Sequence, residues 1–300
     1  MQFRKNKIRS TFIVNVMLFL LCVAWTLPTP GLFVTSFRPR DEVSRTGWWT
    51  IVRNPSELTL NNYRQLLAGK DFTCVTADGL KVTEKGNNLT KALLNSLTVT
   101  VPAVVIPILI AAFAAYGFAW INFPGRKFFF VLVVALLVVS LQIALIPLLR
   151  DYMKLNLNGN YLAIWLAHTG FGLPLAIYLL FNYISTVPRS ILESAFIDGC
   201  SHFTIFVRLI LPLYVPALAS FAIFQFLWVW NDLLVALVFL GAKREVSVLT
   251  QRLLDMIGSR GQDWHLLTSG AFITMILPLL VFFGLQRFFI RGLLAGSVKG

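Results

Sequence analysis

Six long stretches of the chain contain no Asp, Glu, Lys or Arg and consist mostly of apolar residues. They cover residues 10–37, 92–125, 128–149, 155–188, 209–231 and 264–286. Each has at least 22 residues, whereas an α-helix needs about 20 to cross the hydrocarbon core of a bilayer. The apolar positions are continuous rather than alternating, which is the pattern of helices and not of barrel strands. The pattern therefore predicts an all-α integral membrane protein with a six-helix transmembrane bundle.

The composition favours the same class of protein. Of the 300 residues, 57% are hydrophobic and only 13% are charged, about half the charged share of an ordinary soluble domain. The first apolar stretch is longer than the roughly 7 to 15 apolar residues of a signal peptide, and no small-x-small cleavage site follows Leu27-Pro28. We therefore interpret it as a membrane anchor.

The basic residues indicate how the chain is oriented. With six spans, one side of the membrane receives Arg4, Lys5, Lys7, Arg9, Arg126, Lys127, Arg189, Arg208, Arg287, Arg291 and Lys299. The positive-inside rule then places both termini in the cytoplasm. The net charge of +13 thus reflects membrane topology, and we expect no nucleic-acid partner.

This orientation defines the predicted organisation of the chain. We expect a cytoplasmic N-terminus at 1–9, a first transmembrane helix at 10–36, an extracytoplasmic loop at 37–91, a five-helix core at 92–290 and a cytoplasmic tail at 291–300. Within the outer loop, "NPSELTLNNYRQLL" predicts a turn and a short amphipathic helix, and Leu80 and Val82 suit a small hairpin. The loop fits either a cap over the bundle or a surface for a partner protein.

Groups that could perform catalysis are scattered. The three Cys and three His residues lie in separate parts of the chain, without the spacing of a metal site or a disulfide. A Gly-x-x-x-x-Gly-Lys-Ser/Thr phosphate loop does not occur in the sequence. We predict a transport subunit with no catalytic residues, no metal and no cofactor of its own. The alternative is an ion-coupled secondary transporter, which needs ionisable groups in its spans, and only Asp232, near a span end, qualifies.

The connection at 185–213 has a definite local pattern. Thr186 is a candidate N-cap, Pro188 suits a first helical turn, and Gly199 suits a left-handed helix end. We predict one short helix from Pro188 to Asp198. Ser201 would then cap a second helix, which Pro212 breaks or kinks.

The first of these short helices has an apolar stripe at a spacing of four residues, and it also carries acids. Asp198 lies near the helix C-terminus, where the helix dipole disfavours a negative charge. We therefore expect Asp198 either to cap the next helix or to meet a cation. Taken alone, these residues fit both a structural element and a docking surface for a partner.

The sequence "ESAFIDGCSHFTIFVRLILP" resembles the EAA loop of ABC importer permeases. Glu193, Ala195, Gly199, Leu211 and Pro212 match the positions of that pattern, while Ser194 and Leu209 depart from it slightly. Other segments, including "AAYGFAWINFPGRKF" and "LQRFFIRGLLAGSVKG", resemble carbohydrate-uptake permeases of the maltose-permease type. "WLAHTGFGLPLAIYLL" and "FLWVWNDLLVALVFLG" are most similar to the α-glucoside branch.

This resemblance implies a subunit of the bacterial cytoplasmic membrane that imports α-glucosides or related sugars, of the maltose, sucrose, trehalose or glucosylglycerol class. It implies a heterodimer with a second permease, an extracytoplasmic sugar-binding protein, and two ATPase subunits that bind ATP and Mg²⁺. The spans would contact membrane lipid. The residues that it assigns to ATPase coupling are Glu193, Ser194, Ala195, Phe196, Asp198, Gly199, Leu211 and Pro212.

Two further sets of residues are candidates for contact with sugar or binding protein. Amide, acid and indole groups suit a sugar pathway, although interfacial tryptophans and bonds between helices explain them equally; they are Gln142, Gln225, Trp228, Trp230, Asn231 and Asp232. The resemblance also implies a scoop that enters the binding protein, within the outer loop at 241–264. Its candidates, which fit an ordinary flexible loop as well, are Gly258, Ser259, Arg260, Gly261, Gln262, Asp263 and Trp264.

Overall fold

The computed structural model describes residues 2–53, 55, 58–69, 71–75, 81–84, 86–257 and 263–297. Its helices are α1 (Gln2–Thr26), α2 (Pro28–Ser36), α3 (Arg40–Arg45), α4 (Asn61–Leu67), α5 (Leu89–Trp120), α6 (Arg126–Ala135), α7 (Leu141–Lys154), α8 (Tyr161–Ile184), α9 (Arg189–Ile197), α10 (His202–Ile205), α11 (Leu211–Asn231), α12 (Leu234–Phe239), α13 (Leu249–Ile257) and α14 (Trp264–Ser297). In this part of the chain they are accompanied by the 3₁₀ turns Trp48–Val52 and Leu136–Val138 and by the π turn Phe206–Ile210. The predicted helical class is confirmed.

Among the described residues, five helical segments are long and apolar enough to cross a membrane. They are Thr11–Ser36, Leu89–Trp120, Tyr161–Ile184, His202–Asn231 and Trp264–Phe288. The third predicted span is not one straight helix, because the segments 126–138 and 141–154 meet at an angle of 103°. The count is six only if this bent pair is one span.

The bend has a local cause in the sequence. Val139 and Ser140 both adopt extended backbone angles between the two helices. Val is a weak helix former, and Ser favours the extended conformation of a residue that precedes a helix. A search for charge-free stretches does not detect such a break, since neither residue carries a charge.

The chain divides into two compact units, of which the first comprises residues 1–90 and 253–273. Hydrogen bonds to Ser36 connect distant parts of this unit. The Ser36 carbonyl accepts from Asn62 Nδ2 at 2.9 Å and from Ser269 Oγ at 2.7 Å. Arg38 is 1% exposed and donates to the carbonyls of Glu42 and Thr46. Bonds from side chains thus satisfy backbone groups where α2 ends.

The segment 37–91, which belongs to this unit up to residue 90, contains both local elements that the sequence predicts. The short helix is α4. The hairpin pairs β1 (Phe72–Val75) with β2 (Lys81–Glu84) in antiparallel register, with Phe72 opposite Glu84. Val82 lies in β2, as expected, whereas Leu80 lies outside the described residues.

The second unit comprises residues 91–252 and 274–300. One of its apolar cores joins α5, α8, α9 and α11 through Ala112, Ile177, Leu192 and Phe221. A second core, with Val99 and Ile164, surrounds the short helix α12. These two cores position the two groups of residues described next.

Candidate functional site

The turn between α9 and α10 is fixed by the hydrogen bonds at its ends. Gly199 has a φ of +77°, a conformation that favours glycine. The N–H of Gly199 donates to Phe196 O and that of Cys200 to Ala195 O, each at 3.0 Å, which is the Schellman arrangement of a helix end. Ser201 then caps α10 by accepting from the N–H of Thr204 at 3.3 Å. The predictions for Gly199 and Ser201 are confirmed.

Two local predictions for this connection are wrong, and one of the two roles expected of Asp198 is excluded. Thr186 does not cap α9, because its hydroxyl donates to Tyr183 O. Pro188 is the N-cap itself, since its ψ of 132° is extended and α9 begins one residue later. Asp198 does not cap α10, because Ser201 occupies that position.

Of the two effects expected of Pro212, a break of the second helix does not occur. The N–H of Leu211 donates to Phe206 O, five residues earlier, and α11 continues from Leu211 to Asn231. A proline clashes with the carbonyl four residues before it and lacks an N–H. The wider π turn directly before Pro212 accommodates that clash without ending the helix.

The α9–α10 turn presents two different faces. Leu192 is 2% exposed and belongs to the core that includes α5 and α8. In contrast, Phe196 is 40% and Ile197 86% exposed, and Glu193 and Asp198 are exposed beside them. The turn is thus anchored on one side and leaves both acids and apolar side chains uncovered on the other.

A second contact fastens the turn to α5. The hydroxyl of Tyr116, on α5, lies 2.9 Å from Nδ1 of His202. The His202 ring packs edge-on against Phe196, with 4.8 Å between ring centroids. Besides the shared apolar core, α9 is thus linked to α5 through one ring contact and one hydrogen bond.

A polar cluster lies at the end of α11. The Asp232 carboxylate accepts from the N–H of Val235 at 2.9 Å, where α12 begins, and the Asp232 carbonyl accepts from Thr250 Oγ1 at 2.9 Å. His168 on α8 is 1% exposed, and its Nε2 lies 3.8 Å from Asp232 Oδ2. Trp228 packs edge-on against the His168 ring at 5.5 Å. Two candidate pathway residues, Trp228 and Asp232, thus both lie next to His168.

Gln225 lies deeper, at the crossing of α8 and α11. It is 2% exposed, and its Nε2 donates to the carbonyls of Ala103 at 3.1 Å and His168 at 3.4 Å. The helices approach closely because α8 has Gly172 at this point, where a Cβ would lie 2.7 Å from the Gln225 amide. Gln225 therefore connects three helices.

Of the remaining pathway candidates, Trp230 lines a small cavity together with Asp232, whereas Asn231 and Gln142 do not. Trp230 is buried and donates its indole N–H to Thr274 O at 3.1 Å. Asn231 is exposed, and its amide bonds to a carbonyl of its own helix. Gln142 is also exposed and accepts a hydrogen bond from Ser140 at the bend before α7. The structure brings neither Asn231 nor Gln142 to the Asp232 cluster.

A small cavity adjoins the Asp232 cluster. Polar side chains from three parts of the chain line it, namely Ser96, Thr100, His168 and Asp232. The space in it that the centre of a water-sized sphere can reach is about 10 Å³, which is roughly what a single water molecule needs. The cavity is therefore too small for a whole disaccharide.

Most of the predicted scoop lies outside the described residues, namely Gly258, Ser259, Arg260, Gly261 and Gln262. Asp263 pairs with Arg40 at 3.6 Å. Trp264 is the first residue of α14 and is 55% exposed. The described end of this loop is therefore held by an ion pair.

The family to which the chain belongs follows from its sequence profile. Residues 92–294 match the family described as "Binding-protein-dependent transport system inner membrane component". The chain belongs to this family. The matched range begins with α5 and includes the α9–α10 turn and the Asp232 cluster. The family resemblance seen in the sequence is confirmed, and the chain is a membrane-spanning permease of the bacterial inner membrane.

Two relatives match almost the whole permease. The osmoprotective compounds uptake permease protein GgtD of Synechocystis sp. is 54% identical over 299 residues, covering 99% of this chain and 95% of that protein. The alpha-glucoside transport system permease protein AglG of Rhizobium meliloti is 45% identical over 375 aligned positions, covering 97% of each.

Solved structures show the same fold. The permease superposes with a TM-score of 0.71 and 20% identity on a chain of a bacterial ABC transporter involved in the import of the acidic polysaccharide alginate. That alignment covers 93% of this chain and 96% of the other. A bacterial alginate ABC transporter in complex with an alginate pentasaccharide-bound periplasmic protein gives a TM-score of 0.62 at 14% identity, covering 94% of the permease and 95% of that chain.

Sequence reasoning missed His168 and His202. From the sequence, neither is assigned a functional role, because the three histidines are scattered along the chain. A usable signal for His168 was present, since ionisable residues within spans are usually paired, and Asp232 directly follows the apolar stretch 209–231. The partner of His202 is on a helix 86 residues away, so the sequence contains no local signal for that contact.

Proposed function

We propose that this permease is a subunit of an ATP-driven importer for α-glucosides or related glycosides, coupled to partner ATPases through the α9–α10 turn. One observation carries the proposal. The turn is anchored by buried Leu192, yet it exposes Ile197, Phe196 and Glu193 together. Exposed apolar side chains beside a carboxylate suit a protein partner with an apolar, basic cleft. The spacing of Glu193, Ala195 and Gly199 matches the EAA pattern of ATPase-coupling loops.

The relatives support the substrate class. One is named for osmoprotective compounds and the other for alpha-glucosides. Maltose, sucrose, trehalose and glucosylglycerol belong to the chemical class that both names permit. We propose this class as the cargo.

Membership of the binding-protein-dependent transport family supports the proposed complex. This chain pairs with a second permease, and two ATPase subunits hold ATP and Mg²⁺ and perform the hydrolysis. An extracytoplasmic sugar-binding protein delivers the cargo. Both termini and the α9–α10 turn face the cytoplasm, and the segment that ends at Asp263 and Trp264 faces the binding protein.

The proposed sugar pathway uses the Asp232 cluster. Trp228 offers a half-buried aromatic ring, and Asp232 and His168 offer polar atoms beside it. We assign Gln225 and Trp230 a structural role next to this region, because their polar groups already donate hydrogen bonds to carbonyls of neighbouring helices.

Reconstitution of the four-component complex in vesicles tests the proposal. We expect glucoside uptake that requires ATP and the binding protein. The variant Glu193→Lys should abolish uptake and leave the sugar affinity of the binding protein unchanged. Glu193→Gln, which removes the charge without reversing it, is the matched control and should keep a measurable part of the uptake.

Two results would contradict the proposal at different points. Uptake by this chain alone, driven by an ion gradient, would establish the ion-coupled alternative. Normal uptake and normal ATPase co-purification in Glu193→Lys would leave the importer in place but remove the coupling role of the turn.

A further inference from the structure

The 3₁₀ turn Trp48–Val52 exposes apolar side chains although it lies outside the spanning helices. Trp49 is 64% exposed and Val52 is 82% exposed. Residues three apart in a 3₁₀ helix lie on the same side of it, so these two side chains form one apolar edge. Adjacent exposed apolar side chains, unlike single ones, usually mark a contact with another molecule.

Two contacts hold this turn against the end of the first span. The Trp48 indole packs so closely on α2 that a Cβ at Gly31 would lie 2.8 Å from its Nε1. Nη2 of Arg38, a side chain that is 1% exposed, donates a hydrogen bond to Thr50 Oγ1 at 3.2 Å. The exposed edge therefore belongs to an element that is fixed relative to α2.

The contact with Gly31 determines how deep the turn lies in the membrane. The first spanning segment, Thr11–Ser36, has 26 residues, which makes it about 39 Å long. A bilayer measures about 40 to 45 Å with its headgroups and about 30 Å without them. Gly31 precedes Ser36 by five residues, or about 7.5 Å, which equals the thickness of one headgroup layer. The turn is therefore level with the headgroups and not beyond them.

The surface next to the turn is also apolar. Leu27, Leu32 and Phe33, near the Ser36 end of the first span, are each about half exposed. The edge formed by Trp49 and Val52 thus continues the uncovered apolar surface of a spanning helix. A partner protein in the water phase would lie beyond the headgroups and would not reach an edge at this depth.

The residue types around the edge suit phospholipid headgroups. Tryptophan is enriched where the hydrocarbon core meets the headgroups, because its indole is largely apolar and also carries an N–H donor. Arg45 and Arg53 flank the turn and are exposed, and within the described part of the chain neither has an acidic partner. A guanidinium group binds phosphate through two parallel hydrogen bonds.

We propose that the Trp48–Val52 turn is an interfacial anchor, which inserts Trp49 and Val52 among phospholipid headgroups and places Arg45 and Arg53 beside lipid phosphates. The anchor holds the segment after the first span against the membrane surface. This role differs from both roles expected of the 37–91 loop, a cap over the bundle and a surface for a partner protein. It depends on the spanning helix and not on the transported substrate.

A nitroxide label at Val52→Cys tests the anchor through its collisions with oxygen, which dissolves in lipid, and with a water-soluble nickel chelate. The full chain, with its three native cysteines replaced by serine, is purified with its partner subunits and placed in vesicles of phosphatidylethanolamine and phosphatidylglycerol. A phospholipid labelled on its acyl chain and free label in water supply the two limits. We expect the ratio of oxygen to chelate collisions at Val52 to shift toward the lipid limit. Thr73→Cys, exposed on β1, is the matched control and should stay near the water limit.

Tryptophan fluorescence gives an independent measurement on the same turn. The difference in emission between the parent complex and Trp49→Phe isolates the Trp49 signal. We expect phospholipids that are brominated near the headgroup end of the acyl chain to quench this signal. Trp230→Phe is the matched control, because the Trp230 indole is buried within the protein and its signal should not be quenched.

The anchor requires that both measurements report lipid, and any other combination overturns it. A Val52 label near the water limit would show that the edge faces water. A label shielded from both oxygen and chelate would show that another subunit covers the edge. A label whose collisions with chelate fall only when the binding protein is added would identify a docking surface for that protein. None of these results contradicts the proposed function, which fails instead if the parent complex imports no tested glucoside.

Discussion

The α9–α10 turn and the Asp232 cluster place carboxylates in opposite settings. In the turn, Glu193 and Asp198 are exposed, and the described part of the chain provides no ion pair for either. At the end of α11, Asp232 is largely buried, caps α12 and faces His168. The carboxylates of the turn are therefore uncovered, whereas the Asp232 carboxylate is already engaged by its own chain. Predictions for the turn concern coupling, and predictions for the cluster concern local structure and the pathway.

The largest effect is expected where the turn depends on one backbone conformation. Gly199→Pro forces φ to about −65° in place of +77° and removes the N–H that bonds to Phe196. We expect ATP-dependent uptake to be abolished, with the sugar affinity of the binding protein unchanged. Gly199→Asn is the control, because Asn tolerates the left-handed conformation, and it should keep most of the uptake. Equal uptake by Gly199→Pro and Gly199→Asn would show that coupling does not depend on the backbone conformation of the turn.

A smaller effect is expected at Asp232. Asp232→Leu removes the cap of α12, which costs about 1 kcal/mol, and it also removes the acid from the pathway. We expect a lower melting temperature and about ten-fold slower uptake at low sugar, as for the loss of a hydrogen bond to a charged group. Asp232→Asn keeps a capping oxygen and should restore the stability. Full uptake in Asp232→Leu would assign this acid to structure alone.

The link between the turn and α5 should have a moderate effect. Tyr116→Phe removes only the hydroxyl that bonds to His202, so the fold should persist. We expect about three- to five-fold less sugar transported per ATP hydrolysed, as for one hydrogen bond of about 1 kcal/mol. Tyr214→Phe is the control, since it loses a bond to Ile184 O that does not involve the turn. An unchanged transport ratio in Tyr116→Phe would show that motion does not pass through this bond.

The smallest effect on transport is expected at Gln225, whose amide is already bonded. Gln225→Leu leaves two buried carbonyls without their donor, and hydrogen bonds between membrane helices contribute about 0.6 kcal/mol on average. We expect a small decrease in melting temperature and unchanged uptake per folded complex. Asn231→Leu, which alters an exposed amide on the same helix, should change the melting temperature less. A marked loss of uptake in Gln225→Leu would indicate that Gln225 is part of the sugar pathway.

Local features of the structure were predictable from the sequence, and features that depend on packing were not. Gly199 and Ser201 end and begin helices by bonds within five residues, so the sequence pattern is sufficient. The approach of His168 to Asp232 depends on the crossing of α8 and α11, which no short segment encodes. The bend at Ser140 was missed for a different reason, because hydropathy measures polarity and not backbone conformation.

The π turn before Pro212 has a consequence for the geometry of the long helix that contains α10 and α11. Each residue of an α-helix turns the chain by about 100°, and a π turn inserts one additional residue. The π turn at Phe206–Ile210 therefore sets the rotational phase between the face that holds His202 against Tyr116 and the face that carries Trp228. Deleting one residue there would rotate one end of the helix relative to the other by roughly a quarter turn. The composition and hydropathy of the span would stay the same, while the alignment of its two ends would be lost.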